Sequence, residues 1–296
     1  MTRHEQPQLV ADIACEIGEN PLWHPDAESL FFLDISAGIV YSYTPATRAL
    51  RQFSKGPVTG GMVLQEDGSL LLFQDGRISI LTLDGTQREV ACNLCPANDR
   101  FNDVVADPEG RVFAGALGGS GRLYRIDRDG AVVELFEGFG VPNGMGFTAD
   151  VKRMYFTDSK LRRIYLFDYD RFTGNLSNQR IFAEIPEVEG LPDGMTTDAE
   201  GCVWVALWFG SRLKRYRPDG TLEREVYFPV TQVTAVAFGG ADLDDIYVTT
   251  AASKISDAMK PPGYNEVAPR GGGLYHLRIS GVSGRPLYRS RIEFKR

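Results

Sequence analysis

Leu191-Pro192-Asp193-Gly194-Met195-Thr196-Thr197-Asp198-Ala199-Glu200-Gly201-Cys202-Val203-Trp204-Val205-Ala206-Leu207 joins a short apolar run to a β-rich run through an acidic, glycine-containing turn. That is a hairpin signature. With Asp193 as position zero, the same register restarts at Glu19-Asn20-Pro21, Gly60-Gly61-Met62, Asn102-Asp103-Val104, Asn143-Gly144-Met145 and Thr234-Ala235-Val236. The intervals along the chain are 41, 42, 41, 50 and 41 residues. A second β-rich run follows each start: Leu30–Asp34, Leu70–Phe73, Val112–Ala116, Met154–Asp158, Val203–Leu207 and Ile246–Thr250. A third follows in turn, from Ile39–Tyr43 to Leu274–Leu277, and most units add a fourth.

Six units of about four strands, at a period near 41, predict an all-β fold, a six-bladed β-propeller with four-stranded blades. Such a sheet cannot bury both faces alone, so neighbours stack around a central channel. The residue after each position zero is read as small, as crowded inner strands require. The long 50-residue interval predicts an extended hairpin around Asp170–Asn178. Either Leu9–Cys15 or Pro286–Phe294 supplies the strand that closes the ring. No linker interrupts the series, so one propeller domain is expected over residues 1–296.

Composition bounds the function. A net charge of −7 and a pI near 5.2 argue against nucleic acid or an anionic membrane as partner. No apolar stretch approaches the roughly 20 residues that span a bilayer. Met1–Gln8 is polar and precedes no secretory apolar region, so a cytoplasmic protein is expected, monomeric or a small homo-oligomer. Cys92 and Cys95 form a lone C-x-x-C without the further ligands of a zinc site, and are read as two loop thiols.

The inner strands of a propeller run parallel, so all position-zero residues share one mouth of the channel. Glu19, Asn102, Asn143 and Asp193 bring two carboxylates and two carboxamides there, with no Lys or His in the column. Carboxylates gathered in a partly dehydrated mouth either take up a proton or hold a cation between them. Their oxygens are hard ligands, favouring Ca²⁺, Mg²⁺ or Mn²⁺, with Zn²⁺ and Fe²⁺ as further candidates. Glu19, Asn143 and Asp193 are the expected ligands of one divalent ion, and Asn102 a fourth ligand or a substrate contact. Arg100 enters the same mouth, either to bind substrate or to pair with Glu19 or Asp193. Trp208 and Phe209 are an apolar wall or core, and the long Ala251–Gly273 loop is a candidate lid presenting Tyr264. His4, His24 and His276 all miss position zero, and no Gly-x-Ser-x-Gly elbow is present, which removes a Ser-His-Asp triad. Gly118-Gly119-Ser120-Gly121 joins two strands and opens no helix, so it is no phosphate cradle.

Gly18-Glu19-Asn20-Pro21-Leu22-Trp23, Arg100-Phe101-Asn102-Asp103, Pro142-Asn143-Gly144-Met145 and Pro192-Asp193-Gly194-Met195 occur in order and in register. In these motifs the chain resembles the gluconolactonase, regucalcin (senescence marker protein) and luciferin-regenerating-enzyme family. The resemblance implies a six-bladed propeller with one divalent metal, calcium first, in the channel mouth. It implies Glu19, Asn143 and Asp193 as metal ligands, Arg100 and Asn102 as substrate contacts, and Asp193 as general base. The expected reaction is hydrolysis of a sugar lactone to its aldonic acid. The alternatives are hydrolysis of a phosphotriester or other ester on the same site, or a non-catalytic calcium-binding propeller. One departure stands out: Leu117-Gly118-Gly119-Ser120-Gly121 lacks the acidic residue that some members place in that loop, which leaves the sugar open.

Overall fold

A computed structural model describes residues 6–96, 99–254 and 259–294. Among them lie 24 strands in six antiparallel sheets of four, and one 3₁₀ turn, Glu187–Glu189. This is the six-bladed propeller. Its innermost strands are Gly18–His24, Thr59–Leu64, Arg100–Ala106, Pro142–Phe147, Leu191–Thr197 and Val233–Gly239. Blades are numbered 1 to 6 in that order.

Each sheet buries both faces because its side chains interdigitate with the next blade. Val63, Leu71 and Phe73 of blade 2 share one cluster with Phe101, Val104 and Val112 of blade 3. Trp204 and Leu213 of blade 5 share another with Phe238 and Val248 of blade 6. Each such aliphatic or aromatic side chain contributes about 1.5–3 kcal/mol by leaving water. The outermost strands, such as Ala49–Lys55, are mostly exposed.

The ring is closed by the N-terminal strand. Gln8–Ala11 pairs antiparallel with Leu274–Leu277 as the fourth strand of blade 6. The extended hairpin of blade 4 joins Arg163–Tyr169 to Leu176–Glu184, as the long interval predicts.

The alternative closing segment, Pro286–Phe294, does something else. It belongs to a strap across the face opposite the mouth, bonded to bottom turns of the blades. Gly284 N donates to Leu243 O, Ala199 N to Ser283 O, Arg285 Nη1 to Ala149 O, Arg291 N to Gly110 O and Glu66 N to Ser290 O. Arg289 pairs with Asp26 of blade 1 at 3.2 Å. All six blades are thus tied. Between strap and mouth lies a cavity of about 150 Å³ walled by Leu22, Met62, Val104, Met145, Met195 and Val236.

No helix among the described residues is long and apolar enough to cross a membrane. The four cysteines are free, Cys15 and Cys202 buried, Cys92 exposed and Cys95 between.

Candidate active site

Every innermost strand slips register at position zero or directly after it. In blade 3, Phe101 pairs with Ala116 and Val104 with Ala114, so Asn102 and Asp103 share the single partner place of Gly115. The equivalent slips fall between Glu19 and Leu22, Thr59 and Gly61, Asn143 and Met145, Pro192 and Met195, and Val233 and Ala235. A bulge adds a residue, bends the strand and re-aims its side chains. Here Gly60, Asn102, Asp193 and Thr234 lie within the slip, while Glu19 and Asn143 are the last paired residues before it.

The mouth is crowded. A Cβ on Gly60 would collide with the Phe101 carbonyl oxygen and come within 2.9 Å of the Asn102 Cα. That is why blade 2 contributes no side chain. Thr234 contributes none to the centre either, since its hydroxyl donates to Gly18 O at 2.6 Å and seals blade 6 to blade 1. Glu19, Asn102, Asn143 and Asp193 remain, and all four are buried.

Hydrogen bonds orient the carboxamides. Asn102 Nδ2 donates to Asn143 Oδ1 at 2.6 Å and to Pro142 O at 2.8 Å. Asn143 Nδ2 donates to Ser159 Oγ at 2.8 Å, which leaves Asn143 Oδ1 as the acceptor end. Arg100 Nη1 donates to Asn102 Oδ1 and to Phe101 O, both at 3.0 Å. No ion pair among the described residues engages Arg100, so it does not pair with Glu19 or Asp193. Burial depresses its pKa, while Asp75, Glu19 and Asp103 work against that.

The carboxylates are poorly satisfied. Asp193 Oδ2 is buried without a hydrogen-bond partner. Glu19 Oε2 accepts from Asn20 N at 2.6 Å. Burial pushes the Glu19 carboxyl well above the usual range, reinforced by the charges of Asp193 and Asp103 and only partly offset by the Asn20 N–H and Arg100. Burial and Asp103 push Asp193 up in the same sense. An orphaned buried carboxylate oxygen, a second carboxylate and a fixed carboxamide oxygen make a hard-donor set that fits one divalent cation.

Asp103 is the residue the sequence reading missed. By register its place after position zero is a packing position for a small residue. That reason holds where Gly61, Gly144 and Gly194 stand, since a Cβ on each would come within 2.5–2.6 Å of the next strand. Asn20 and Asp103 are there for polar reasons instead. Asn20 sits at φ 47° and its Oδ1 accepts from Met62 N at 2.7 Å, locking blade 1 to blade 2. Asp103 is a third buried carboxylate, raised to about 7 by burial despite Arg100. Its acidic type, directly beside the position-zero column, is the signal that could have found it.

The rim decides between the two readings of Trp208 and Phe209 and departs from the expected lid at Tyr264. Trp208 and Phe209 are buried, packed with Leu191 and Ala251 and against Tyr264. Phe209 holds a left-handed backbone at φ 67°, uncommon for a bulky residue, and meets the Tyr264 ring edge-on at 4.8 Å. The Tyr264 hydroxyl lies 2.9 Å from Thr231 Oγ1. In this structure Tyr264 anchors the 251–273 loop to blade 5. Residues 255–258 of that loop, and His4, lie outside the described residues. In blade 3, a Cβ on Gly118 would collide with the Asp99 carboxylate, itself bound to Arg122 at 2.8 Å. An acidic side chain therefore reaches this loop from the preceding one.

A second group of potential ligand atoms, from Asp198, Glu200 and Cys202, lies at the opposite end of the blades. It has its own cation. Arg215 pairs with Asp198 at 2.6 Å and with Glu200 at 2.5 Å. His24 is also at that end, buried, with Nε2 2.8 Å from Gly68 O.

Residues 17–252 match the family described as SMP-30/Gluconolactonase/LRE-like region. A pentonolactonase of Haloferax volcanii is 43% identical over 287 residues, 96% of this chain and 97% of that protein. A solved luciferin-regenerating enzyme superposes with a TM-score of 0.86 at 30% identity, covering 95% of this chain and 97% of that one. The calcium-binding protein regucalcin of Agrobacterium tumefaciens superposes with a TM-score of 0.85 at 25% identity, covering 95% and 96%. The matched residues include every position-zero residue from Glu19 to Thr234, and the chain belongs to the SMP-30/gluconolactonase/LRE-like family.

Proposed function

We propose that this protein, one propeller domain over residues 1–296, is a divalent-metal-dependent hydrolase that opens a sugar lactone to its aldonic acid. The observation that carries the reading is the unmet carboxylate of Asp193, buried in the mouth beside Glu19 and the fixed Asn143 amide. Glu19, Asn143 and Asp193 hold the ion. Calcium is the first candidate, because the donors are hard oxygens and a similar protein is described as calcium-binding. When bound, the ion supplies Lewis-acid polarisation of the lactone carbonyl and acidifies the attacking water.

The chain's own residues do the rest. Asp193 takes the proton of the attacking water as general base. Arg100, held by Asn102 and in no ion pair among the described residues, binds the substrate and stabilises the negative oxygen that develops on attack. Both Asn102 N–H groups are already used, so it meets a substrate hydroxyl only as an acceptor, through Oδ1. The similarity to a pentonolactonase makes five-carbon sugar lactones the first substrates to try.

The test follows acid release from five- and six-membered sugar lactones by chelator-stripped protein, with Ca²⁺, Mg²⁺, Mn²⁺, Zn²⁺ or Fe²⁺ restored. Metal-dependent turnover above the spontaneous rate is the expected result. Protein that binds an ion yet turns over no lactone overturns the reading.

A further inference from the structure

In blade 3 the bulge holds both the position-zero residue Asn102 and its successor Asp103. The side chain is buried and receives no hydrogen bond among the described residues. Nothing at the same level of the ring neutralises it. The other successors are Gly61, Gly144, Gly194, Ala235 and the Asn20 amide, which is committed to Met62 N. The cation beside it is Arg100, two residues back on the entering loop. Asp103 is therefore retained at a cost, since a third carboxylate buried near Glu19 and Asp193 destabilises a fold unless something compensates it.

The charge count says what compensates. Glu19, Asp103 and Asp193 carry three negative charges when ionised, and Arg100 carries one positive charge. The mouth is then two charges short of neutral, which is the charge of one divalent cation. We propose that Asp103 is a positioning carboxylate of the ion site, outside the ligand set, which with Arg100 sets the mouth's charge to match a divalent ion. This rests on the assignment of Glu19, Asn143 and Asp193 as the residues that hold the ion. Without Asp103 the occupied mouth would carry a net buried positive charge.

The experiment is calorimetric titration of chelator-stripped protein with Ca²⁺, for wild type, Asp103→Asn, Arg100→Gln and the double variant. Asp103→Asn is expected to weaken binding about 10- to 100-fold, the usual effect of losing a group behind the ligands. Arg100→Gln shifts affinity the other way, and the double variant recovers most of the loss because the count returns to two. A role in packing alone predicts no such recovery. The ion-free Asp103→Asn protein is also expected to melt above ion-free wild type, since a repulsion is gone. Asp103→Ala, which copies the residue blade 6 carries at this place, guards against a folding failure of the first variant. Wild type that binds no divalent ion overturns the ligand assignment. Wild type that binds Ca²⁺ while both Asp103 variants bind it equally well, or a double variant without recovery, overturns the role of Asp103 alone.

Discussion

Asp193 lies near the start of strand Leu191–Thr197, Asp198 directly follows its end, and both are buried. Their surroundings are opposite. Asp198 Oδ1 accepts from Glu200 N and Cys202 N, and Oδ2 from Trp204 Nε1 and Arg215 Nε. Asp193 Oδ2 accepts from nothing. One carboxylate is a finished piece of architecture, capping a turn and neutralised by Arg215. The other is buried at a free-energy cost that the fold itself does not recover, which points to a ligand. Position in a strand does not separate the two. Whether the charge is met does.

The contrast breaks first if Asp193 proves dispensable. Asp193→Ala should abolish stoichiometric divalent-ion binding by calorimetry. Asp193→Asn should lower turnover by about 10²- to 10⁴-fold, the range for a lost general base, in an acid-release assay at saturating ion. Near-normal turnover of Asp193→Asn would make the two aspartates alike.

The complementary change is Arg215→Met. It strands Asp198 and should destabilise the protein by about 3–5 kcal/mol in urea unfolding. Ion affinity and kcat/KM of the folded protein should hold within about twofold, as expected for distant and independent sites. A loss of ion binding would show the two ends to be coupled.

Gly60→Ala probes how tightly the mouth is packed. The added methyl meets the Phe101 carbonyl, so strand Arg100–Ala106 must shift, costing on the order of 3 kcal/mol and moving Arg100 and Asn102. Thermal melting and KM should both respond. A neutral Gly60→Ala would mean that the position-zero column tolerates a full ring of side chains.

The smallest effect is one of pH. Asp245 is another paired acid at the bottom face, bonded to His276 and Arg278. Burial opposes its ionisation, but those hydrogen bonds prevail and bring its pKa from 3.8 to about 2. The unfolded chain therefore takes up this proton first. The stabilisation is complete above the unfolded value and disappears as pH falls through about 2. Comparing Asp245→Asn with wild type by denaturant unfolding should give a gap of about 1 kcal/mol near pH 6, after allowance for solvent screening. The gap should close towards pH 2; a gap that is flat with pH would remove the assignment.

Much of the site was legible because the propeller repeats. One register column places Glu19, Asn102, Asn143 and Asp193 at a shared mouth. The column after it misleads at Asp103, where smallness in four blades hides an acid in a fifth. Arg100 was ambiguous for a different reason. A long flexible side chain has several partners within reach, and only packing selects among them. Tyr264 was misread because a long loop was expected to present its side chains, whereas Thr231 and Phe209 supply local partners that hold this one down.

Strand number, blade boundaries and the chemical character of the mouth follow from local alternation and turns, interactions between residues a few places apart. Three things depended on contacts between distant parts of the chain. Ring closure went to Gln8–Ala11 because the Leu274–Leu277 edge accepts it, while the C-terminal segment became a strap bonded across the bottom turns. The bulges acquired their meaning only when six bent strands converged on one channel. And the difference between a satisfied aspartate and an unsatisfied one lies in what packing brings beside it: Asp198 meets donors folded back from its own blade, whereas Asp193 faces the carboxylates of Asp103 and Glu19 from other blades.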